Sequence, residues 1–429
     1  MIEAPLPQPA ATTDGAANAM VRTGDGRRLL GAQVCDHFAL GLGIVAFPWL
    51  VLDGGGGPSL AGLVFTVAAI PYVLFGLPAG VAGDRYSRKK MMVGGHLGQA
   101  LCAGLLPLWA LGASPPVALV LACAFAVGVG RTFADAASFG AVADVVGPAN
   151  YAQGQAALSS AWAAGSIAGP FAGGILVASI GAAPAVGVQS GTFLIAAFLV
   201  GRIRRPLAAP AQEAYGRVRD AVREGITLIW ENPVLRLLTV VQLLWYLTVI
   251  GAQALIVPFL RTELSLDAHE VGWILGVGAA MGLAAGVLVG AVLRRIGALH
   301  LIAAGIVVSA LAPIALAVAR DFWSALFAFS ALTLAIWVSV TTLIGERQRH
   351  APHHLQARVG ITGRGIAFAS MMVGSLIAST LASFVSLRAL YLGVGFAALA
   401  VASWAVPALV RGAAAGRANP SPPSEGCMP

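Results

Sequence analysis

Two stretches of this chain, residues 91–130 and 145–201, contain no Asp, Glu, Lys or Arg. A helix needs about 20 apolar residues to cross the hydrocarbon core of a bilayer, so each run is long enough for two crossings. Pro115 and Pro116 break the first run, and Gly181 to Pro184 break the second. The same ruler gives a span at 29–52, interrupted only by Asp36, and another at about 59–82. The broken runs then supply spans three to six. Beyond the charged segment from Arg202 to Arg236 come six more uncharged stretches, at 237–260, 271–293, 296–319, 322–345, 365–387 and 389–410. The pattern predicts an all-α membrane protein with twelve transmembrane helices in two sets of six. Only 10% of the residues are charged, against roughly a quarter in ordinary soluble chains, so no water-facing skin is available.

The expected organisation is a cytoplasmic tail at 1–28, a six-helix bundle at 29–201, a central cytoplasmic loop at 202–236, a second bundle at 237–411 and a tail at 412–429. The first residues are rich in Ala and Pro and lack the basic-then-apolar order of a signal peptide, so they read as a disordered tail. The Pro- and Ser-rich C-terminus reads as another. Lys and Arg are held back on the cytoplasmic side during insertion. With both termini inside, 22 of the 26 fall on inner segments, whereas the outer loops carry only Arg261, Arg320 and Arg388. The net charge of +8 therefore reads as topology in a cell membrane rather than as a nucleic-acid surface. The chain lacks a CxxC pair, a P-loop and a Ser/His/Asp set, which leaves no enzyme chemistry and no nucleotide-driven pump. His350, His353 and His354 lack Cys or carboxylate companions and read as a solvated loop, so neither a metal nor a cofactor is expected.

A shift of 210 residues lays Gly80 and Arg85 on Gly290 and Arg295, each at the close of the second helix of its half. Parallel six-helix repeats place a substrate site between them near the membrane midplane.

Gly80-Val-Ala-Gly-Asp84-Arg85-Tyr-Ser-Arg88-Lys89-Lys90 resembles the signature of the major facilitator superfamily, with Ser87 where the family usually has Gly. The resemblance implies that this cluster, joined by Asp144 at the inner end of span four, gates the cytoplasmic side as the transporter cycles. Asp84 and Arg88 are placed to form an ion pair at the rim. On span five, Gly165-x-x-x-Gly169-Pro170-x-x-Gly173-Gly174 resembles the antiporter motif of drug/proton exchangers, with Ala156 replacing an upstream Gly. Glycines four apart let another helix approach closely, and the row Gly282, Gly286, Gly290 on span eight is expected to receive them. Further similarity at Asp36-His37, Asn232-Pro233, and Arg347-Gln-Arg349 points to the subgroup of macrolide and siderophore exporters.

Ionisable groups inside a membrane cost several kcal/mol and mark pathways. Asp36 lies seven residues into span one, about 10 Å deep at ~1.5 Å per residue. Asp135 lies at a similar depth on span four, with Arg131 one turn away on the same face. Asp36 is the leading proton-coupling candidate, because burial disfavours a charged carboxylate. Arg131 and Asp135 are read either as part of that relay or as a static ion pair. His37, next to Asp36 but on another face, is set aside.

In the second half, Gln242, Trp245, Tyr246, Gln253, Trp337 and Thr341 suit a cavity wall for a bulky amphipathic substrate, or else a packing and interfacial set. The expected function is that of a proton-coupled antiporter exporting a drug, siderophore or natural product by rocker-switch alternating access. A proton-linked importer of the same fold is the alternative. The partners expected are a small-molecule substrate, protons and the lipid bilayer, with the chain acting as a monomer.

Overall fold

The computed structural model describes residues 20–207, 218–352 and 355–418. Twelve helices are long and apolar enough to cross a membrane. The first six are α1 (Gly24–Asp53), α2 (Pro58–Arg85), α3 (Arg88–Ala110), α4 (Val117–Val146), α5 (Tyr151–Ile180) and α6 (Ala182–Gly201). The second six are α7 (Pro233–Glu263), α8 (Ala268–Ile296), α9 (Ala298–Val318), α10 (Phe322–His350), α11 (Gln356–Leu381) and α12 (Leu387–Ala418). No strand occurs among the described residues.

Local chemistry sets the helix ends. Thr23 caps α1 through its side-chain oxygen, and Asn232 caps α7 with Pro233 in the first turn, where a missing N–H costs nothing. Asp267 and Glu270 form a reciprocal capping box at the start of α8. Gly55, Gly147, Gly181 and Gly297 take positive φ at the turns between helices.

Helices outrun the apolar stretches that predict them. α1 begins at Gly24, inside the expected tail, and Met20 before it is fully buried in a cluster with Leu29, Met92 and Leu207. The rest of that tail, residues 1–19, lies outside the described residues. α12 continues to Ala418, so the second expected tail is helical in its first part, and its remainder also lies outside the described residues. The central segment is not all loop, because an amphipathic helix spans Val218–Glu231 and buries Ile229 against Ala351 and Val359. Of the three histidines expected in a solvated loop, His350 closes α10, while His353 and His354 lie outside the described residues.

The two sets of six pack in matching ways. α1 lies on α5 as α7 lies on α11, α2 on α4 as α8 on α10, and α3 on α6 as α9 on α12. Gly41 of α1 meets Gly169 and Pro170 of α5, and Gly251 of α7, 210 positions later, meets Gly374 of α11. These contacts are backbone against backbone, since a Cβ on Gly251 would lie 2.5 Å from the Gly374 carbonyl carbon. Lipid tails do not drive helices together, so such close approach is what van der Waals packing needs here.

Two helix pairs make the most extensive contacts between the halves, α5 with α8 and α2 with α11. Both are close at one end only. Gly174 abuts Gly272, and a Cβ added to Gly62 would strike Leu255 and Ser379. Thr66 donates to Ser375 at 2.9 Å, and the Tyr72 and Phe368 rings stack at 5.2 Å. Toward the other end, which carries the basic α2–α3 turn, a Cβ added to Gly76, Gly80, Gly286 or Gly290 would have nothing within 4 Å. The molecule is therefore closed at the end away from the basic turns and splayed at the basic end.

That difference generates a stability prediction. Gly174→Val forces a side chain into the Gly272 backbone and is expected to cost about 1–3 kcal/mol, the usual range for overpacking. Gly286→Val meets open space and should stay within about 0.5 kcal/mol. Thermal unfolding of the two variants in detergent checks this, and equal losses would contradict the packing described.

Candidate functional site

The charged groups predicted inside the membrane gather in the first half. Gly95 of α3 and Gly130 of α4 cross so closely that a Cβ on either would sit 2.6 Å from the other's carbonyl oxygen. That crossing sets the next residues, His96 and Arg131, at one level of the bundle. Asp36 arrives on α1, which α5 holds in place through Gly165, Gly169 and Gly173; a Cβ on any of these would strike the backbone of α1 near Val34, Phe38 or Leu42.

Asp36 is almost wholly buried, at 1% exposure, and His96 is fully so. His96 Nδ1 lies 3.2 Å from Asp36 Oδ1 and 3.0 Å from Gln99 Oε1. His37 Nδ1 is farther, 3.6 Å from Asp36 Oδ2, and its contact with the Gln33 carbonyl is 3.2 Å. The His37 ring stacks on Trp162 at 5.1 Å, while the Trp162 indole N–H donates to Gln33 at 2.7 Å.

Arg131 and Asp135 form the pair their spacing predicts, with Nε 3.5 Å from Oδ2. Tyr72 of α2 donates its hydroxyl to the same Asp135 oxygen, and the Arg131 guanidinium lies 5.5 Å over the Tyr72 ring. Tyr72 in turn stacks on Phe368 of the other half. One turn from Phe368, Arg364 lies 6.0 Å over the ring of Phe139, which is itself one turn from Asp135 on α4. The acid–base cluster is thus wired, through aromatic rings, to the helix that must move if the halves rock.

At the basic end, the signature residues are tied within their own half. Arg88 donates to both Asp144 carboxylate oxygens at 2.8 Å, so its partner is Asp144. Lys89 donates to the Ile203 carbonyl at 2.8 Å, Arg85 is exposed, and Gly80 faces open space. The Asp84 side chain lies outside the described residues, and with it the expected Asp84–Arg88 pair. On α10, Glu346 pairs with Arg349 at 3.0 Å.

The antiporter motif divides its work. Gly165, Gly169 and Gly173 face α1, whereas Gly174 faces α8 across the halves. The expected receiving row on α8 is corrected here. Gly272 and Gly276 take the contact, against Gly174, Pro170 and Phe171, while Gly282 accommodates the Trp337 ring, and Gly286 and Gly290 are open. α5 and α8 meet at the closed end, and the expected row lies on the part of α8 that has splayed away.

The cavity set in the second half is also redistributed. Trp245 is buried at 1% exposure and donates to Ser309 of α9 at 2.9 Å, so its ring packs inside its own half rather than on a cavity wall. Gln242 is buried and accepts from Arg347 at 2.5 Å. Trp337 is half exposed and Thr341 exposed, while Tyr246 and Gln253 are intermediate. Tyr246 opens a π-helical turn, Tyr246–Ile250, followed by a 3₁₀ turn at Gln253–Leu255, so α7 is irregular at this level. Such turns often mark functional sites.

Several residues escape a reading of the sequence. His96 is missed because a ruler made of Asp, Glu, Lys and Arg does not count histidine, although one in mid-span is visible. Arg347 reads as a loop residue, yet α10 runs past it and buries it to 4% exposure, in space that a side chain on Gly363 would fill. Arg261 of α7 binds Asp53 of α1 at 2.6 Å, donates to the Trp49 carbonyl at 3.2 Å and lies 4.3 Å over the Trp49 ring. Nothing in the sequence links residues so far apart, and this clamp joins the halves at the closed end.

Twelve crossing helices in two matching sets, with an ionisable cluster between helices and a cleft open at one end, are the architecture of a multi-pass membrane transporter. The chain belongs to the Major Facilitator Superfamily, whose description it matches over residues 29–360. It is 28% identical over 369 residues to the multidrug efflux pump Tap of Mycolicibacterium fortuitum, covering 82% of this chain and 88% of that protein. It is also 28% identical over 309 residues to the class C tetracycline resistance protein of Escherichia coli, covering 69% and 74%. Among solved structures, a mutant form of the nucleoside transporter NupG superposes with a TM-score of 0.79 at 9% identity, covering 90% of this chain and all of that one.

The clamp supplies a prediction. Arg261→Gln removes three contacts to α1, but Asp53 is half exposed, so a pair of this kind is worth about 1 kcal/mol or less and the shift toward opening at that end is a few-fold. Spin labels at the closed-end termini of α1 and α7 should acquire a longer-distance population in double electron–electron resonance. An unchanged distribution means the guanidinium has no part in closure.

Proposed function

We propose that the protein is a proton-coupled antiporter that exports a small organic molecule by rocking its two six-helix halves about a central site. The observation that carries this reading is the one-sided contact between the halves. They touch from the closed end as far as Tyr72 with Phe368 and Phe139 with Arg364, while Gly76, Gly80, Gly286 and Gly290 have no neighbours. Contact of this one-sided kind supports alternating access, with the splayed form as one end state. By the distribution of Lys and Arg, the open end is the cytoplasmic one, which puts both termini inside and exposes the site to cytoplasmic substrate.

The direction of transport rests on two supports. The relatives of the chain include a multidrug efflux pump and a tetracycline resistance protein. The glycine face of α5, complete in its Gly-Pro-Gly-Gly core, grips α1 along its middle and meets α8 at the end away from the cytoplasm. Coupling rests on Asp36, a carboxyl almost wholly withdrawn from water on a helix held by that same face. Arg131 and Asp135, paired with each other and with Tyr72, set the field around it. In the opposite state, Gly80, Asp84, Arg85, Arg88, Lys89 and Asp144 close the cytoplasmic end. The boundaries 29–201 and 237–411 mark the rocking units, and the substrate meets Tyr246, Gln253 and Thr341 from the second half. The chain acts as a monomer, because both halves of the site belong to it.

Inverted membrane vesicles with an imposed proton gradient test the proposal, with tetracycline, a macrolide and a siderophore as probes. At least one probe is expected to release protons from energised vesicles, and Asp36→Asn is expected to reduce this at least about tenfold, the scale of losing a group that acts in the coupled step. Probe movement with no proton signal, or an Asp36→Asn protein that performs as the parent does, overturns the reading.

A further inference from the structure

The proposed antiport gives Asp36 a proton to carry but names no group to receive it. Four atoms in the site lack what buried polar atoms normally have, Gln99 Nε2 and Arg131 Nε among them. Asp36 Oδ1 has no hydrogen-bond partner of good geometry, and neither has His96 Nε2, although both residues are sealed from solvent. Buried polar atoms are satisfied in the great majority of cases, so each exception calls for a reason. His96 Nδ1 lies 3.2 Å from Asp36 Oδ1 and 3.0 Å from Gln99 Oε1, so this nitrogen is the one that faces the carboxyl. Nε2 meets no partner, whichever ring nitrogen carries the hydrogen.

We infer that Asp36 and His96 form a single proton-binding site, sealed inside the first half, in which one proton is held jointly by the carboxyl and the imidazole. Its ligand is the bare proton, taken from and returned to water. The proton has two resting places between Asp36 Oδ1 and His96 Nδ1: on the carboxyl, beside a neutral ring whose own hydrogen is on Nε2, or on Nδ1 of an imidazolium, beside a carboxylate. Either arrangement keeps the site's formal charge the same, so the proton can shift within the dry site without creating an unpaired charge.

The other titratable groups around the site have separate partners. His37, next along α1, is stacked on Trp162 and engaged with the Gln33 carbonyl. Asp135 of α4 is taken by Tyr72 of α2 and Arg131. Arg131 acts on Asp36 only through space, as the surrounding cation of the cluster. From α5 and α6 the polar neighbours of α1 are Trp162 and Gln189, neither of which titrates. The pair also bridges helices with different anchors, because α1 is gripped by the glycine face of α5 and α3 by Gly130 of α4.

The inference rests on the antiport reading for its purpose but not for its test, which needs no transported substrate. The purified full chain in proteoliposomes is titrated between about pH 5 and 9 while infrared difference spectra follow the protonated-carboxyl stretch, with nitrogen-15 histidine resonance on the unaltered chain alongside. The parent is expected to show one carboxyl band that titrates, and one imidazole that titrates in step with it, since strongly coupled groups share their proton transitions. Asp36→Asn removes the band. His96→Gln displaces its midpoint by about one pH unit or more, the effect of removing an adjacent cationic partner. His37→Gln leaves it in place.

A carboxyl that never titrates in this range, an imidazole that titrates independently of it, or a His96→Gln profile that overlays the parent overturns the inference. The resonance measurement decides the matter even if a variant fails to fold. If the pair titrates as expected and vesicles give no substrate-driven proton signal, the site stands and the antiport reading falls. If Asp36 is needed for flux while His96→Gln titrates like the parent, antiport stands and the shared site falls.

Discussion

The glycine face of α5 is the contact on which the arrangement of this molecule depends. Its faces bring two other helices to backbone distance. Gly165, Gly169 and Gly173 admit α1 of the same half, and Gly174 admits α8 of the other. In a membrane, lipid tails are as apolar as Leu, so helices gain little by hiding apolar surface from them and associate through close packing instead. A side chain at any of these positions would have to displace backbone, which cannot yield as a flexible side chain can. The depth of Asp36 follows from this helix surface, which shares the closure of one end with the α2–α11 contact and the Arg261 clamp.

With the helices placed, the cost of charge decides the rest. Each ionisable group of the first-half site has a defined neighbour: Asp36 has His96, Asp135 has Tyr72 and Arg131, and Arg88 has Asp144. A carboxylate unpaired in hydrocarbon would neutralise itself rather than bear the desolvation. The pairings differ in how much they leave open. Arg88 and Asp144 share two hydrogen bonds at the rim, a satisfied pair, whereas Asp36 and His96 keep one unfilled atom each in a site without solvent. Satisfied pairs hold a shape, and an unsatisfied one can change its protonation.

What the sequence discloses follows from the range over which each force acts. Spans are legible because hydropathy integrates over some twenty neighbouring residues, and the Arg131–Asp135 pair because one helical turn fixes it. The partner of Asp36 is sixty residues away on α3, and the Arg261 clamp crosses between halves, so no local pattern announces either. α8 carries two glycine rows, Gly272 with Gly276, and Gly282 through Gly290. Spacing alone cannot choose between them, because the choice depends on which end of the molecule is closed. Arg347 and Trp245 are misplaced for a related reason: composition gives depth along a helix but not the direction a side chain faces. Trp245 turns to Ser309 and Arg347 to Gln242, inside their own half.

The repeat makes that asymmetry informative. The position 210 residues after Asp36 is Tyr246, and the one 210 after His96 is Ile306. α10 starts 205 residues after α4, and on that shift Arg131 and Asp135 correspond to Ile336 and Val340. The helix packing of the two halves has been kept while the ionisable cluster, among the described residues, occurs in the first alone. Had the charges served only to hold six helices together, the second half, built on the same contacts, would need them as well. It packs with Tyr246, Ile306, Ile336 and Val340 in their place, so the fold itself does not require the cluster. Groups that cost free energy to bury and that an equivalent bundle does without belong to what the first half does. Among the described residues of the second half, the buried cation Arg347 pairs with an amide rather than a carboxylate.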